Sequence, residues 1–206
     1  MKLYFSPGAC SLAPHIVLRE AGLTPTLVKV DLASHRTADG ADFYAVTPKG
    51  QVPLLELDDG SLLSEGPVIA QYLADQAGAT ALMPAAGTPA RYRVMAWQNF
   101  VTSELHKGFA PLFDAEVNAE AKQRLSSVLM KKLRWVDGQL ADQAEGPFLT
   151  GTAFTAADAY LFVVTGWAPH VGLDLSSLTN LQRLRTAVAE RPAVREAMRA
   201  EGLAQR

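Results

Sequence analysis

The single cysteine of the chain, Cys10, lies between a short apolar run at residues 3–5 and a helical pattern at residues 12–21. A lone cysteine is commonly a small buried apolar side chain. At the entry to a helix, however, free backbone N–H groups and the positive end of the helix dipole favour a thiolate. A lowered pKa makes a cysteine reactive near neutral pH, so we predict a functional thiol. Position 13 is alanine, so no dithiol motif forms, and disulfide chemistry requires a thiol from solution.

Ser11 follows the reactive cysteine, and its hydroxyl has two possible uses. It fits the N-cap of the following helix, which is the more common use of such a serine. It also lies next to Cys10 and is therefore a candidate catalytic group. The sequence leaves both roles open.

Two later segments indicate a site for an extended peptide. Pro53 opens a strand pattern, either as an ordinary strand-start proline or as a cis proline that exposes the backbone of Val52. Glu65 and Gly66 open a helical pattern, where backbone amides bind a carboxylate and the Glu65 side chain binds an ammonium group. Glu65 alternatively only complements the helix dipole. Together these positions suit a zwitterionic peptide.

A polar line is predicted on the longest helical pattern. Asn99, Ser103 and His106 have the spacing i, i+4, i+7 of one helix face. A lone helical histidine is more often structural than ligand-binding. The other histidines, at positions 15, 35 and 170, have no metal-ligand spacing, so we expect no metal.

The N-terminal elements that position these residues are strands and helices in alternation. Strand patterns at residues 3–5 and 27–30 flank the first helix and predict a βαβ unit with parallel strands. The Asp59-Gly60 pair predicts a hairpin, and a helix at residues 65–74 follows it. The sequence therefore predicts a βαβ–ββα domain over residues 1–78.

The rest of the chain has helical periodicity only. Residues 79–87 are rich in Gly and Pro and predict a linker, and residues 88–206 predict an all-helical domain. Long apolar stripes indicate helices at 90–113 and 119–140. Thr155 and Asp158 form a capping box ahead of an apolar helix. The predicted fold class is α/β plus all-α.

Composition excludes several kinds of partner. Lys and Arg number 19 against 21 Asp and Glu, a net charge of -2, so nucleic acid is not an expected partner. A spanning helix needs about 18–20 uninterrupted apolar residues, and no stretch approaches this length. The first residues also lack the pattern of a signal peptide. We expect a cytoplasmic protein with no membrane partner.

Four segments resemble those of the bacterial beta-class glutathione S-transferases: FSPGACSL at residues 5–12, TPKGQVP at 47–53, ELHKGF at 104–109 and FTAADAY at 154–160. The resemblance covers essentially the whole chain. The combination of Cys10 with His106 is the class-specific part, whereas the capping segment alone indicates the superfamily.

The resemblance implies a thioredoxin-like domain followed by a helical bundle, in a homodimer. It implies that Cys10 contacts the sulfur of glutathione and forms a mixed disulfide with it, and that Val52 pairs with the cysteinyl backbone beside a cis Pro53. Glu65 and Gly66 would hold the γ-glutamyl end. The helical domain would complete the site, in part across the dimer interface, with Asn99, Ser103, Glu104 and His106.

Two positions depart from the family pattern. The class usually carries lysine where this chain has His35, and neutral histidine attracts the glycyl carboxylate less at pH 7, although Arg36 is adjacent. Many transferases outside the class carry serine where this chain has Gly66. The first departure predicts weaker glutathione binding.

The expected activity is conjugation of glutathione to small hydrophobic electrophiles, with Cys10, Ser11 and His106 as catalytic groups. Cys10 adds an expected thiol–disulfide exchange or peroxidase side activity. Two alternatives stay open. One is a non-enzymatic protein that binds glutathione or apolar ligands, with Phe113 and Trp167 lining the cleft; the other is a glutathione-dependent reductive dehalogenase of aromatic catabolism.

Overall fold

The computed structural model describes residues 1–143 and 145–203, which form two compact units. Of the described residues, 1–83 and 191–203 make the first unit, and 84–143 and 145–190 make the second. The domain bounds expected from the sequence (1–78, 79–87 and 88–206) stay a prediction. The compact units differ from them chiefly because the C-terminal helix packs with the sheet-containing unit.

The first unit is built on a five-stranded sheet in the order β3-β2-β1-β4-β5. Its elements are β1 (Lys2–Phe5), α1 (Leu12–Glu20), β2 (Thr26–Asp31), β3 (Arg36–Thr37), β4 (Leu54–Glu56), β5 (Leu62–Ser64) and α2 (Gly66–Gln76). Strands β1 and β2 are parallel, whereas β4 is antiparallel to both β1 and β5. The predicted βαβ unit and hairpin are confirmed. Strand β3 was not predicted because two residues are too short to show an alternation.

Strand β1 lies in the middle of the sheet and explains the continuous apolar run at its start. Leu3, Tyr4 and Phe5 are all buried, as expected for a strand covered on both faces. Helix α1 is buried from Leu12 to Leu18. It packs against α2 and against the C-terminal helix α8, Pro192–Ala200. Strand β1 and helix α1 together fix both ends of the loop that carries Cys10.

The second unit is helical. It contains α3 (Pro89–Phe100), α4 (Lys107–Phe113), α5 (Ala119–Ala141), α6 (Ala156–Thr165) and α7 (Thr179–Ala189). The helix predicted as one piece over 90–113 was partly wrong, because a π-helical segment, Val101–His106, separates α3 from α4. Such segments are rare and frequently occur at functional sites.

The predicted capping box of α6 is confirmed. The Asp158 carboxylate is fully buried and accepts hydrogen bonds from the backbone N–H of Leu149 (2.7 Å) and from the N–H (2.8 Å) and hydroxyl (2.7 Å) of Thr155. Burial raises the pKa of Asp158 to about 6, against the opposing effect of these donors. Every residue of α6 is buried, so the box fixes the start of the central helix of this unit.

No helix among the described residues has the length and apolar character needed to cross a membrane.

Candidate functional site

The loop between β1 and α1 places Cys10 against the segment before β4. The Cys10 Sγ lies 3.4 Å from the backbone carbonyl oxygen of Val52, to which its S–H donates. The Val52–Pro53 peptide bond is cis, which resolves the alternative that the sequence left open. The thiol is partly buried. The structure therefore brings together Cys10, Val52 and Pro53, which are about forty residues apart in the chain.

The electrostatic environment of Cys10 differs from the sequence expectation. Burial raises the pKa of the thiol to about 11, and the charge of Glu65 adds to the rise. Hydrogen bonds from the backbone N–H groups of Cys10 and Ser11 lower it by less. The predicted lowering of this pKa is therefore wrong, because desolvation of a thiolate outweighs the amides at the helix start. At neutral pH the group is a thiol and a hydrogen-bond donor.

Ser11 connects the two ends of the cysteine loop, residues 6–11 between β1 and α1, through hydrogen bonds with Ser6. Its buried Oγ accepts from the N–H of Ser6 at 3.1 Å and donates to the carbonyl of Ser6 at 3.2 Å. It occupies the N-cap position of α1 but makes no capping hydrogen bond with its side chain, so the predicted cap is wrong. The hydroxyl proton of Ser11 is donated to the Ser6 carbonyl oxygen. The catalytic role of Ser11 stays a prediction.

The entry to α2 completes the group in the first unit. A Cβ atom on Gly66 would lie 3.5 Å from the Cγ of Pro53, so the helix start lies beside the cis proline. Glu65 has a φ of 71°, which is uncommon for a residue with a side chain and tends to occur at ligand sites. Its exposed carboxylate accepts from Lys49 Nζ at 3.0 Å. Lys49 was not singled out from the sequence, although it lies in the TPKGQVP segment.

His35 lies in the turn before β3 and has a φ of 51°. Its Nδ1 is 3.0 Å from the carbonyl oxygen of Gly50, and its ring centroid is 4.5 Å from that of Tyr44. A carbonyl only accepts, so Nδ1 carries the proton and Nε2 of the neutral ring has none. Arg36 donates to the carbonyl of Gly40 at 2.7 Å.

A buried polar cluster anchors the cysteine loop from α8 and was not predicted. Glu201 accepts from the N–H of Gly8 at 3.0 Å with one oxygen and lies 2.9 Å from His15 Nδ1 with the other. Arg19 Nε donates to His15 Nε2 at 3.3 Å, so Nδ1 carries the imidazole proton. His15 and Glu201 are fully buried side chains. No local signal reveals this pair, because 186 positions separate its members.

The remaining predicted residues lie in the second unit, along the π-helical segment. Asn99 and Ser103 are exposed. The π-helical hydrogen bonds shift the register, so the α-helical spacing assumed for the polar line does not hold through Val101–His106. Glu104 forms an ion pair with Lys132 of α5 at 2.7 Å, although Lys107 is closer to it in the sequence.

His106 belongs to an aromatic cluster in the same unit. Its Nδ1 lies 2.7 Å from the Tyr160 hydroxyl, and its ring centroid lies 4.9 Å from that of Trp167. Burial lowers the pKa of His106, and the charge of Lys107 lowers it further. The imidazole is therefore neutral at pH 7. Trp167 also contacts Phe109 and Phe113, at centroid distances of 5.9 and 6.2 Å.

The predicted residues are divided between the two units. The first unit holds Cys10, Ser11, His35, Val52, Pro53, Glu65 and Gly66, and the second holds Asn99, Ser103, Glu104 and His106. Within the described part of the chain, no cluster of His, Cys, Asp and Glu has the arrangement of a metal site.

Comparison with known proteins agrees with this architecture. Family models described as "Glutathione S-transferase, N-terminal domain" and "Glutathione S-transferase, C-terminal domain" match residues 8–76 and 119–200. Glutathione S-transferase GstA of Escherichia coli O157:H7 is 48% identical to this chain, over 98% of this chain and 100% of the length of GstA.

Two solved structures are also similar over nearly their whole length. A sphingomonad glutathione S-transferase complexed with glutathione has a TM-score of 0.93 at 46% identity. The match covers 99% of this chain and 100% of the sphingomonad chain. The bacterial beta-class enzyme of Sphingomonas chungbukensis has a TM-score of 0.92 at 46% identity, with the same coverage.

A thioredoxin-like sheet with a cis proline beside a helix start, followed by a helical unit, is the fold of the glutathione S-transferases. The chain belongs to the bacterial beta-class glutathione S-transferase family and is an enzyme of that kind.

Proposed function

We propose that this enzyme conjugates glutathione to small hydrophobic electrophiles and that Cys10 adds thiol–disulfide exchange. The observation that carries the proposal is the contact of the Cys10 thiol with the Val52 carbonyl, beside a cis Pro53 and the Gly66 helix start. These groups offer an edge for an extended peptide, donors for its carboxylate and a sulfur at its thiol.

Glutathione binding uses the first unit as follows. The Val52 backbone pairs with the cysteinyl residue, the α2 amides hold the γ-glutamyl carboxylate, and Glu65 takes its ammonium group. The positive φ of Glu65 supports this role, since strained backbone is retained where it aims a functional group. Asn99, Ser103, Glu104 and His106 are further glutathione contacts by family resemblance.

Conjugation requires a glutathione thiolate. Because burial keeps Cys10 protonated, its S–H is a donor that stabilises a thiolate held beside it. That thiolate attacks the electrophilic carbon, so an S–C bond forms as the leaving group departs with its electron pair. The neutral His106 and the neighbouring Trp167 and Phe113 support an apolar pocket for the electrophile.

Exchange uses Cys10 as the nucleophile. The Cys10 thiolate attacks the sulfur of a glutathionylated substrate, and the substrate thiol leaves as a thiolate that takes up a proton. Free glutathione then attacks the mixed disulfide, which releases oxidised glutathione and restores Cys10. The peroxidase side activity would start with attack of the same thiolate on a peroxide oxygen. The O–O bond breaks, the departing oxygen takes up a proton and leaves as an alcohol or water, and Cys10 becomes a sulfenic acid. One glutathione then condenses with the sulfenic acid to form the mixed disulfide and water, and a second glutathione releases oxidised glutathione and restores Cys10.

The proposal also covers the cellular compartment, the oligomeric state and the partners of the enzyme. We infer a cytoplasmic homodimer in detoxification, with glutathione and an apolar electrophile as its partners and without nucleic acid, membrane or metal. The non-enzymatic binder is not retained, because the chain belongs to a family of enzymes. The reductive dehalogenase stays a prediction of the sequence.

Substitution of Glu65 by glutamine tests the binding mode. The variant keeps the shape of the side chain and removes the charge that pairs with an ammonium group, so we expect the KM for glutathione to rise about tenfold, with kcat nearly unchanged. Steady-state kinetics with a chromogenic electrophile measure both constants. Glu116→Gln, at an exposed carboxylate of the second unit, is the control. Equal KM values in both variants would contradict the role of Glu65.

Substitution of His35 by lysine tests the departure from the family pattern. Lysine is charged at pH 7 whereas histidine is largely neutral, so we expect glutathione to bind about threefold to tenfold more tightly. Calorimetric titration with glutathione measures the change. In His35→Asn, asparagine tolerates the positive φ and adds no charge, so it should show no gain. Unchanged affinity in the lysine variant would mean that Arg36 or another group already binds the glycyl carboxylate.

A further inference from the structure

The imidazole of His106 has two ring nitrogens, and the structure gives a protein partner to only one of them. Nδ1 lies 2.7 Å from the Tyr160 hydroxyl. Among residues 1–143 and 145–203, Nε2 has no hydrogen-bond partner. In the same part of the chain, no side-chain nitrogen or oxygen is both buried and unpaired. Nε2 is therefore open to solvent or to a ligand.

Tyr160 is held in place by the core of the second unit. Its side chain is only 5% exposed and lies in α6, whose residues are all buried. The rings of Tyr160 and His106 meet edge to face, with centroids 6.0 Å apart and planes at 87°. A phenol in so tightly packed a helix fixes the orientation of the imidazole beside it.

The direction of the hydrogen bond between Tyr160 and His106 follows from the chemistry of the two groups. A phenol O–H is more acidic than the N–H of a neutral imidazole, and an unprotonated ring nitrogen is the better acceptor. Burial, which lowers the pKa of His106, keeps the ring neutral at pH 7. A neutral ring carries one proton, so when Nδ1 accepts from Tyr160 the proton lies on Nε2. The open nitrogen is therefore a donor.

We propose that Tyr160 is a positioning residue that fixes His106 as the Nε2–H tautomer, and that the enzyme thereby favours electrophiles whose reacting carbon is conjugated to a carbonyl group. The inference rests on the proposed conjugation of glutathione, with the electrophile beside His106. The Trp167 ring, 4.9 Å from His106, and the Phe113 ring, 6.2 Å from Trp167, add apolar surface near the donor. A hydrogen bond is stronger where such surface excludes water.

Conjugate addition is the reaction that a donor at Nε2 assists. The glutathione thiolate attacks the β-carbon of an enone, an S–C bond forms, and the electron pair of the C=C bond moves to give an enolate with its charge on the carbonyl oxygen. Nε2–H donates to that oxygen, where the negative charge develops. The α-carbon then takes up a proton from water, so no group leaves. Substitution at an alkyl halide forms no oxyanion, so the donor contributes little there.

The tautomer of His106 can be read by long-range proton–nitrogen NMR of the imidazole rings, because protonated and unprotonated ring nitrogens resonate far apart. The chain has four histidines, and His106→Gln assigns the signal. We expect the Nε2–H form in the unmodified protein and a mixture of both forms in Tyr160→Phe. This result does not depend on the catalytic proposal. A His106 ring protonated at Nδ1 in the unmodified protein would overturn the inference.

Two electrophiles separate the role of the donor from a loss of packing. Because the donor is no longer fixed in Tyr160→Phe, kcat/KM for benzylideneacetone, an enone, should fall about fivefold. The same constant for benzyl chloride, a halide of similar size, should change by less than about twofold, and the KM for glutathione should stay the same. Steady-state kinetics at saturating glutathione measure both reactions.

Two variants control for the loss of a hydroxyl and for weaker packing. Tyr92→Phe removes an exposed hydroxyl from α3, and Phe162→Leu weakens the packing of α6 at a ring that contacts Arg185. Both should keep the His106 tautomer and the ratio of the two rates. An equal loss with both electrophiles in Tyr160→Phe would overturn this inference alone. Failure of the unmodified protein to conjugate either electrophile would contradict the proposed function together with the electrophile preference.

Discussion

Replacement of Cys10 by alanine is expected to abolish thiol–disulfide exchange while conjugation survives. Exchange needs the Cys10 sulfur as the atom that forms the mixed disulfide, so its rate should fall to the uncatalysed background. Conjugation loses only a hydrogen-bond donor to the glutathione thiolate, so kcat/KM should fall by about threefold to tenfold. Parallel assays with a glutathionylated peptide and a chromogenic electrophile separate the two reactions.

The chemical state of Cys10 can be measured by intact mass after incubation with oxidised glutathione and then with excess reduced thiol. We expect one glutathionyl adduct, mapped to Cys10 and removed by thiol. Cys10→Ser, which keeps a donor for the Val52 carbonyl, is the control and should form no adduct. An adduct in the alanine variant, or exchange at an unchanged rate, would contradict the assignment of Cys10 as the nucleophile.

The pH dependence of this adduct reports the burial of the thiol. Because burial raises the pKa of Cys10 to about 11, the thiolate fraction should increase about tenfold per pH unit from neutral pH upward, with no plateau below about pH 10. An exposed cysteine would level off near pH 8.5. The raised pKa also affects stability, because the folded protein keeps the thiol proton up to a higher pH than the unfolded chain does. The neutral thiol therefore contributes to the free energy of unfolding below about pH 9, and this contribution is lost toward pH 11. A plateau near pH 7 would show that the amides of the helix start dominate.

Replacement of Asp158 by alanine is expected to destabilise the second unit by about 3–5 kcal/mol. The carboxylate is fully buried and accepts three hydrogen bonds, two of them from backbone N–H groups that would remain buried without an acceptor. Folded proteins are stable by only about 5–15 kcal/mol, so the variant should unfold at markedly lower urea concentration. Urea titration followed by circular dichroism measures the free energy of unfolding.

Asn118→Ala is the matched control for this loss. Asn118 caps α5 through a single exposed hydrogen bond to the N–H of Ala121 at 2.9 Å, so its removal should cost about 1 kcal/mol. If both variants lost the same stability, the buried network around Asp158 would contribute no more than an ordinary cap.

Comparison with Asp158→Asn tests how the titration of Asp158 makes the stability of the protein depend on pH. The pKa of Asp158 in the folded state, about 6, lies above the ordinary value of 3.8 for an aspartate, so the stability associated with its protonated form is present below about pH 4 and lost as pH rises through 6. Asparagine does not titrate. The stability difference between the unmodified protein and Asp158→Asn should therefore narrow between about pH 4 and pH 7.

Local signals were sufficient for much of the fold and part of the site. The Asp59-Gly60 turn, the apolar run before Cys10 and the Thr155–Asp158 box each act over a few residues, so the sequence alone determined the hairpin, the first strand and the start of α6. The segments at residues 5–12 and 47–53 were recognised by their resemblance to the bacterial beta-class glutathione S-transferases, whereas the residues alone left the cis form of Pro53 open.

Other features depend on contacts between distant parts of the chain. The pairing of His15 with Glu201 joins α1 to the residue that follows α8, and Glu104 selects Lys132 over its neighbour Lys107 because packing in space decides its partner. The break at Val101–His106 likewise has no periodic signal.

The pKa of Cys10 shows most directly which properties the sequence determines and which depend on the tertiary structure. Its position before a helix, which the sequence determined, predicts a thiolate. The burial of the sulfur depends on contacts with distant parts of the chain, such as the Val52 carbonyl. Desolvation depends on every atom that displaces water from the sulfur, and only the tertiary structure fixes that surrounding shell.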